Sequence, residues 1–292
     1  MTTLGAVYLP QFPPERLRTV AKAADEAGLE ELWLWEDCFL EGGIASLTAA
    51  LAWTERLRVG VGLLPVPLRN VALTAMEMSA LDRFFPGRAI VGIGHGVQDW
   101  MGQVGARVES PVTLLREYAN ALRALLSGER LTVKGRYVSI DGVKLDWPPT
   151  APMPIFAGAT GPKSIQLCGE IADGTILTGG TTPEGLVRSR ALVDEGRARR
   201  AKGADDPHPI VVYVHAATGP DAAERLEGER VRWGYDSLEG RAVSGDAERF
   251  AEAISGWVEA GADSVILQPT PDDPDPEGFV RFIAEQVRPL VP

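Results

Sequence analysis

The chain has 292 residues, 45% of them hydrophobic and 24% charged, with 29 basic against 40 acidic side chains and a formal charge of −11. This length admits one large α/β barrel as readily as two smaller domains, the composition excludes disorder, and the acidic balance excludes the broad phosphate-neutralising face that nucleic acids require. The two cysteines, Cys38 and Cys168, lie far apart and outside any CxxC or Cys/His cluster, so neither a disulfide framework nor a metal site is indicated.

No apolar run is long enough to cross a bilayer, and the opening "MTTLGAVYLPQFPPERL" lacks the pattern of a signal peptide. The expected protein is cytoplasmic, with a small-molecule substrate and neither nucleic acid nor membrane as partner.

In chain order, "LGAVYL" (4–9) is a short apolar run stopped by Pro10. The next segment, "PERLRTVAKAADEAGL", has helical periodicity from Pro14 and stops at Gly28, where a C-cap glycine belongs. The unit recurs as "ELWLW" (31–35) before "IASLTAALAWTE" (44–55), and as "LRVGVGLL" (57–64) before "VALTAMEMSALDRFF" (71–85). "RAIVGIG" (88–94) leads through a glycine-rich loop to a helix with Ser110 at its N-cap and Pro111 at its first position.

"LTVKGRYVSIDGVKLDW" (131–147) alternates and carries KG and DG turns, the pattern of a hairpin inserted at about 127–150. The strand-helix alternation then resumes with "MPIFAGA", "DGTILTGG", "PIVVYVHAAT" and "DSVILQP", each ahead of a helical segment, with a second insertion at about 218–245. Eight such units predict a (β/α)8 TIM barrel spanning 1–292 as a single α/β domain. An open doubly wound sheet is the competing arrangement.

Barrel chemistry sits at the carboxyl ends of the strands, which directs attention to four loops. After the second strand come Glu36, Asp37, Cys38 and Phe39. After the fourth comes "GIGHGVQDW", where Gly92, Gly94 and Gly96 allow close backbone approach around His95, with Trp100 and Met101 as further pocket residues. After the fifth, "AGATGPKS" opens a helix with free N–H groups and Lys163, and after the sixth "TGGTTPE" does the same with Gly179 and Gly180. Two such loops on consecutive strands form a phosphate cradle.

Structural roles compete at each position. Glu36 and Asp37 suit helix caps, His95 a loop hydrogen bond, His215 the ordering of the rim, and His208, between prolines, an exposed site. Cys38 suits a small buried apolar role and Cys168 helix packing. A barrel isomerase or aldolase using the cradle alone is a further functional class.

Four blocks, "AGLEELWLWEDCF", "ERLRVGVGLLPVPLRN", "SALDRFFPGRAIVGIGHG" and "PIFAGATGPKSIQLCGEIADGTILTGG", in this order and spacing, resemble the bacterial luciferase-like superfamily of barrel oxidoreductases. The "GPK" after the fifth strand resembles its deazaflavin-dependent reductases.

The resemblance implies coenzyme F420, with FMN as the alternative, lying across the barrel mouth. Its ring would lie beside Gly62, Leu63, Gly94, His95 and Gly96, and its phosphate at Ala159, Thr160, Gly161 and Lys163, with Gly179 and Gly180 beside it. It also implies a cis peptide at or near Gly62–Leu63, a homodimer, and hydride transfer between reduced coenzyme and an organic substrate. The alternatives are an FMN-dependent monooxygenase and a non-catalytic flavin-binding protein.

The family's second strand ends in a pattern like "WVxDH", whose histidine faces the coenzyme's reactive atom, whereas "WLWED" here puts Asp37 in that place. An aspartate of ordinary pKa only accepts hydrogen bonds. The catalytic proton therefore belongs to Asp37 or Glu36 with a pKa raised by burial, or to His95.

Overall fold

A computed structural model describes residues 2–200, 203 and 205–291. The first half of the chain forms β1 (Thr3–Val7), α1 (Leu17–Ala27), β2 (Glu31–Leu34), α2 (Gly43–Trp53), β3 (Arg58–Pro65), α3 (Val71–Phe84) and β4 (Ala89–Gly94). A short α4 (Gln98–Gln103), α5 (Pro111–Leu126) and an antiparallel hairpin of β5 (Leu131–Lys134) and β6 (Ser139–Val143) follow. The second half contains β7 (Ile155–Gly158), α6 (Pro162–Ile171), β8 (Gly174–Leu177), α7 (Pro183–Arg197), β9 (Ile210–Ala217) and α8 (Ala222–Trp233). It ends with β10 (Ala242–Ser244), α9 (Ala247–Glu259), β11 (Ser264–Gln268) and α10 (Pro276–Phe282).

The strands β1, β2, β3, β4, β7, β8, β9 and β11 pair in parallel in that order, and β11 pairs back onto β1. This is the closed (β/α)8 TIM barrel that the alternation predicts. Helix ends follow the expected chemistry at Gly28, which caps α1 at φ 82°, and at Pro111, the first residue of α5. Ser110 caps differently, its hydroxyl meeting Thr113 Oγ1 at 2.8 Å and no backbone N–H.

The barrel interior is filled below the mouth by aromatic rings. Trp33 stands edge-on to Phe156 at 6.5 Å and to Tyr213 at 5.9 Å. A Cβ on Gly60 would lie 2.6 Å from the Trp33 indole, and one on Gly62 would overlap the Tyr213 hydroxyl. The Gly62–Leu63 peptide is cis, as expected, and the β3–β4 register shifts between Val61 and Leu64. Leu63 is thereby laid over Gly158, where a Cβ would approach to 2.6 Å. A second cis peptide joins Cys38 and Phe39.

Two features escaped the sequence reading. His208 is buried, not exposed: its Nε2 lies 2.8 Å from Thr175 Oγ1 and its Nδ1 3.3 Å from Arg200 Nη2. Burial, reinforced by Arg200, holds its pKa at about 4 and the ring neutral. The region 218–245 carries α8 and β10. Ile210–Val212 of β9 pair with β8, while His215–Ala217 pair with β10, so the seventh strand outruns its neighbour and carries an arm.

The helices that bear on function are α6 and α7, which cross through two glycines. A Cβ on Gly169 would overlap the Val193 carbonyl, and one on Gly196 the Gln166 carbonyl. Gly196→Ala is therefore expected to lower the unfolding free energy by about 1–3 kcal/mol, as overpacking does. Urea denaturation checks this, and an unchanged midpoint would contradict the close crossing.

Candidate active site

Beyond β2 the chain turns through the two adjacent acids, and the fold separates their roles. Glu36 Oε2 accepts the Gly43 N–H at 2.7 Å at the start of α2, and Oε1 meets Arg69 Nη1 at 2.7 Å. Arg69 also reaches Glu77 at 3.2 Å. With both oxygens occupied and a cation fixed beside it, Glu36 straps the second and third loops together and is poorly suited to donate a proton.

Asp37 is half-buried, and its carboxyl has no hydrogen bond among the described residues. Burial raises its pKa above the usual carboxylate range, opposed by the charge of Arg232. Burial likewise raises the pKa of Glu41, opposed by its hydrogen bond from Ser46, so Asp37 and Glu41 are the two acids beyond β2 shifted toward the protonated form. Cys38 beside Asp37 is pushed up by burial and by the charges of Glu36 and Asp37, so it remains a thiol. Cys168 is fully buried in α6, with its pKa pushed up to about 12.

His95 bridges two loops. Its Nε2 lies 3.0 Å from Ser164 Oγ in the first turn of α6, and the Pro111 backbone carbonyl, close to the ring, partly offsets the effect of burial on its pKa. Burial lowers its pKa and keeps it neutral at pH 7. Gln11 Oε1 and Glu41 Oε1 are buried without partners, and they follow the carboxyl ends of β1 and β2, while Trp35 packs against Tyr213 at 5.7 Å. Such unpartnered groups cost roughly 1–3 kcal/mol each, and those that follow β1 and β2 leave acceptors open at the mouth. Met101 is buried beneath Gly96, whose Cβ would meet its sulfur at 3.2 Å, so it anchors the loop. Trp100 is half-buried.

On the far side of the mouth, α6 opens from Gly161 and Pro162, and α7 opens from Thr182, whose hydroxyl accepts the Gly185 N–H. Between the two N-termini lies a cavity of about 450 Å³, lined by Ala159, Thr160, Gly179, Gly180, Arg188 and Arg241 among others. The backbone N–H groups of Thr160, Gly161, Gly179 and Gly180 make no hydrogen bond among the described residues. A Cβ on Gly161 would enter open space, whereas one on Gly179 would lie 2.9 Å from both His215 Nε2 and Gln268 Oε1. Free amides, two positive helix ends and two guanidinium groups fit a phosphate and leave room for more of the same molecule.

Gly161 and the exposed Lys163 lie outside the cavity lining, Gly161 between Thr160 and Pro162 that belong to it, and the cations of the lining are Arg188 and Arg241. Arg188 was visible as a basic residue one turn into the helix that "TTPE" opens. Arg241 belongs to the arm and had no sequence signal.

The family description "luciferase-like monooxygenase" matches residues 2–237. The chain belongs to this family. It is 28% identical over 219 residues to the 5,10-methylenetetrahydromethanopterin reductase of Methanolobus tindarius, covering 75% of this chain and 66% of that one. It is 26% identical to the F420-dependent glucose-6-phosphate dehydrogenase of Microbacterium testaceum, covering 96% of this chain and 94% of the relative. Among solved structures, an F420-dependent secondary alcohol dehydrogenase in complex with an F420–acetone adduct superposes with a TM-score of 0.87. That match is 20% identical and covers 100% and 99% of the two chains, a likeness of fold.

The division of roles between the two acids is testable by stability alone. Glu36→Gln, which removes the charge facing Arg69, is expected to cost about 1–3 kcal/mol. Asp37→Asn, which removes a half-buried unpaired carboxylate, is expected to be neutral or stabilising. Denaturant titration reads both, and the reverse order would refute the assignment.

Proposed function

We propose that the protein is an oxidoreductase that transfers hydride between reduced coenzyme F420 and an organic substrate at the barrel mouth. The observation that carries this reading is the amide-lined cavity between α6 and α7, facing across the mouth from a half-buried acid with a raised pKa. The F420-dependent activities named for the relatives support the choice of coenzyme.

The N–H groups of Thr160, Gly161, Gly179 and Gly180 would hold the phosphate, with Ala159 in the wall and Arg188 and Arg241 supplying charge. Lys163, exposed beside them, would add only a screened attraction. The Gly62–Leu63 peptide and the Gly94–His95–Gly96 loop would form the bed for the ring. When bound, a deazaflavin supplies two-electron hydride chemistry that reacts poorly with oxygen.

The remaining work belongs to side chains of this chain. Asp37 holds a proton on its carboxyl and yields it to the substrate oxygen as that oxygen gains charge. His95, tethered by Ser164, fixes the fourth loop against α6. Glu36 keeps the second loop rigid through Arg69. Phe39, Leu40, Val97 and Trp233 stand exposed on the loops and arm around the mouth, a rim suited to the apolar body of a substrate and to excluding water.

We assign the protein to the cytoplasm, in keeping with its free cysteines and with the absence, among the described residues, of a helix able to cross a membrane. We assign it a second copy of itself as partner, seated on α2 and α3. Leu73, Met76 and Phe84 form an exposed apolar stripe on α3, at 48%, 59% and 69% exposure, and Ala45 and Ala52 of α2 are exposed as well. Met76→Glu should convert a dimer to a monomer in analytical ultracentrifugation, and a wild-type monomer would sink this assignment.

The coenzyme is tested by titrating the purified protein with F420 and with FMN and following visible absorption. F420 is expected to bind at least about tenfold more tightly, a difference of 1.4 kcal/mol. Tight FMN binding with oxygen uptake would instead identify a monooxygenase. Asp37→Asn should lower kcat roughly 10²–10⁴-fold with coenzyme affinity retained. Because the proton must be present on Asp37, kcat of the wild type should fall as pH rises through its elevated pKa. A profile flat through that range would exclude Asp37 as donor.

A further inference from the structure

The segment 218–245 leaves the barrel after β9, forms α8, and returns as β10 along the upper half of β9. Its loop brings Tyr235 onto the sixth-strand glycines. Tyr235 Oη donates to the Gly179 carbonyl at 3.1 Å and lies 3.3 Å from His215 Nε2. A hydroxyl carries one proton. With that proton given to Gly179, the contact with His215 requires the imidazole to donate from Nε2, which leaves Nδ1 bare.

His215 Nδ1 is buried without a hydrogen bond and stands 3.8 Å from Glu229 Oε2, too far for one. Glu229 is engaged by Trp233 Nε1 at 2.9 Å and by Arg232 Nη1 at 3.3 Å. Arg230 Nη1 donates to the Tyr235 carbonyl at 2.8 Å. Tyr235 is therefore fixed from behind by β9 and α8, and its hydroxyl is aimed at a loop of two consecutive glycines.

That loop needs an external hold. Gly180 sits at φ +85° with Tyr235 where a side chain would be, and Gly179 is hemmed in by His215 and Gln268. Neither glycine has a side chain of its own to fix the direction of its N–H. Arg241, at the end of the same loop, lies over the Tyr235 ring at 5.4 Å, donates to the Ser237 carbonyl at 3.2 Å, and lines the cavity into which those N–H groups open.

We infer that the arm is the third wall of the coenzyme-anion site: Tyr235 is a positioning residue that latches the Gly179–Gly180 loop, and Arg241 is a binding residue for the anionic chain of the coenzyme. The inference rests on the coenzyme reading above. It extends that reading by making affinity depend on a segment outside the eight strand-helix units. A phosphate held only by the ends of α6 and α7 would be indifferent to Tyr235.

The test uses the full chain with two single variants, Tyr235→Phe, which removes one hydroxyl, and Arg241→Gln, which removes one charge. Dissociation constants for F420 are measured at low and high salt, together with kcat at saturating coenzyme and the melting temperature. Tyr235→Phe is expected to weaken F420 binding about five- to tenfold, the scale of one hydrogen bond, with kcat falling less than affinity does. Arg241→Gln is expected to weaken it similarly at low salt and to flatten its salt dependence.

Unchanged affinity in both variants of a coenzyme-binding wild type overturns the inference and leaves the coenzyme reading standing. A loss of kcat with affinity intact overturns it too, since Tyr235 would then act on the chemistry. A wild type that binds neither F420 nor FMN overturns the coenzyme reading, and the inference falls with it. Should Tyr235→Phe fail to fold, the Arg241→Gln result decides.

Discussion

The site depends on one constraint, the pairing of β7 with β8, whose helices α6 and α7 then pack closely toward their C-terminal ends through Gly169 and Gly196. Side chains at either glycine would overlap backbone carbonyls, so only this pair lets two helices from consecutive strands run against each other. The strands before them, β7 and β8, are hydrogen-bonded neighbours, and that adjacency sets the two N-termini side by side. Two sets of unsatisfied amides and two positive helix ends then face one cavity. In a protein of formal charge −11, an anion needs a local positive field, which here comes from the helix N-termini together with Arg188 and Arg241.

The opposite side of the mouth is organised by who is already partnered. Glu36 is consumed by Gly43 and Arg69, and His95 is half-consumed by Ser164. Asp37 faces the mouth with no hydrogen bond among the described residues. The family pattern places a histidine where Asp37 stands, and desolvation is the means by which a carboxyl can take over part of that role. On the proposal above, a raised carboxyl pKa would make Asp37 a donor in its acid form.

The fold was legible because its signals are local. Apolar runs bounded by proline or glycine gave every barrel strand, Gly28 and Pro111 marked helix ends, and the paired glycine loops marked two helix starts that border one cavity. What stayed hidden depends on partners distant in sequence. Glu36 and Asp37 are indistinguishable until Arg69 is seen to choose one of them. Lys163 looked like the anion's cation because it is adjacent in sequence, whereas Arg241 reaches the cavity from the arm. His208 read as exposed because its neighbours are prolines, and Thr175 and Arg200 explain why it is not. The arm itself has α8, whose mixed polar composition gave no clear period in a region read only as an insertion.

The central claim is that backbone amides after the fifth and sixth barrel strands grip the anionic end of the coenzyme. It is tested most directly by backbone-amide NMR of the labelled protein during an F420 titration. The account predicts that the resonances of Thr160, Gly161, Gly179 and Gly180 move together, with one shared dissociation constant. Saturable binding that leaves these four amides unmoved would contradict it.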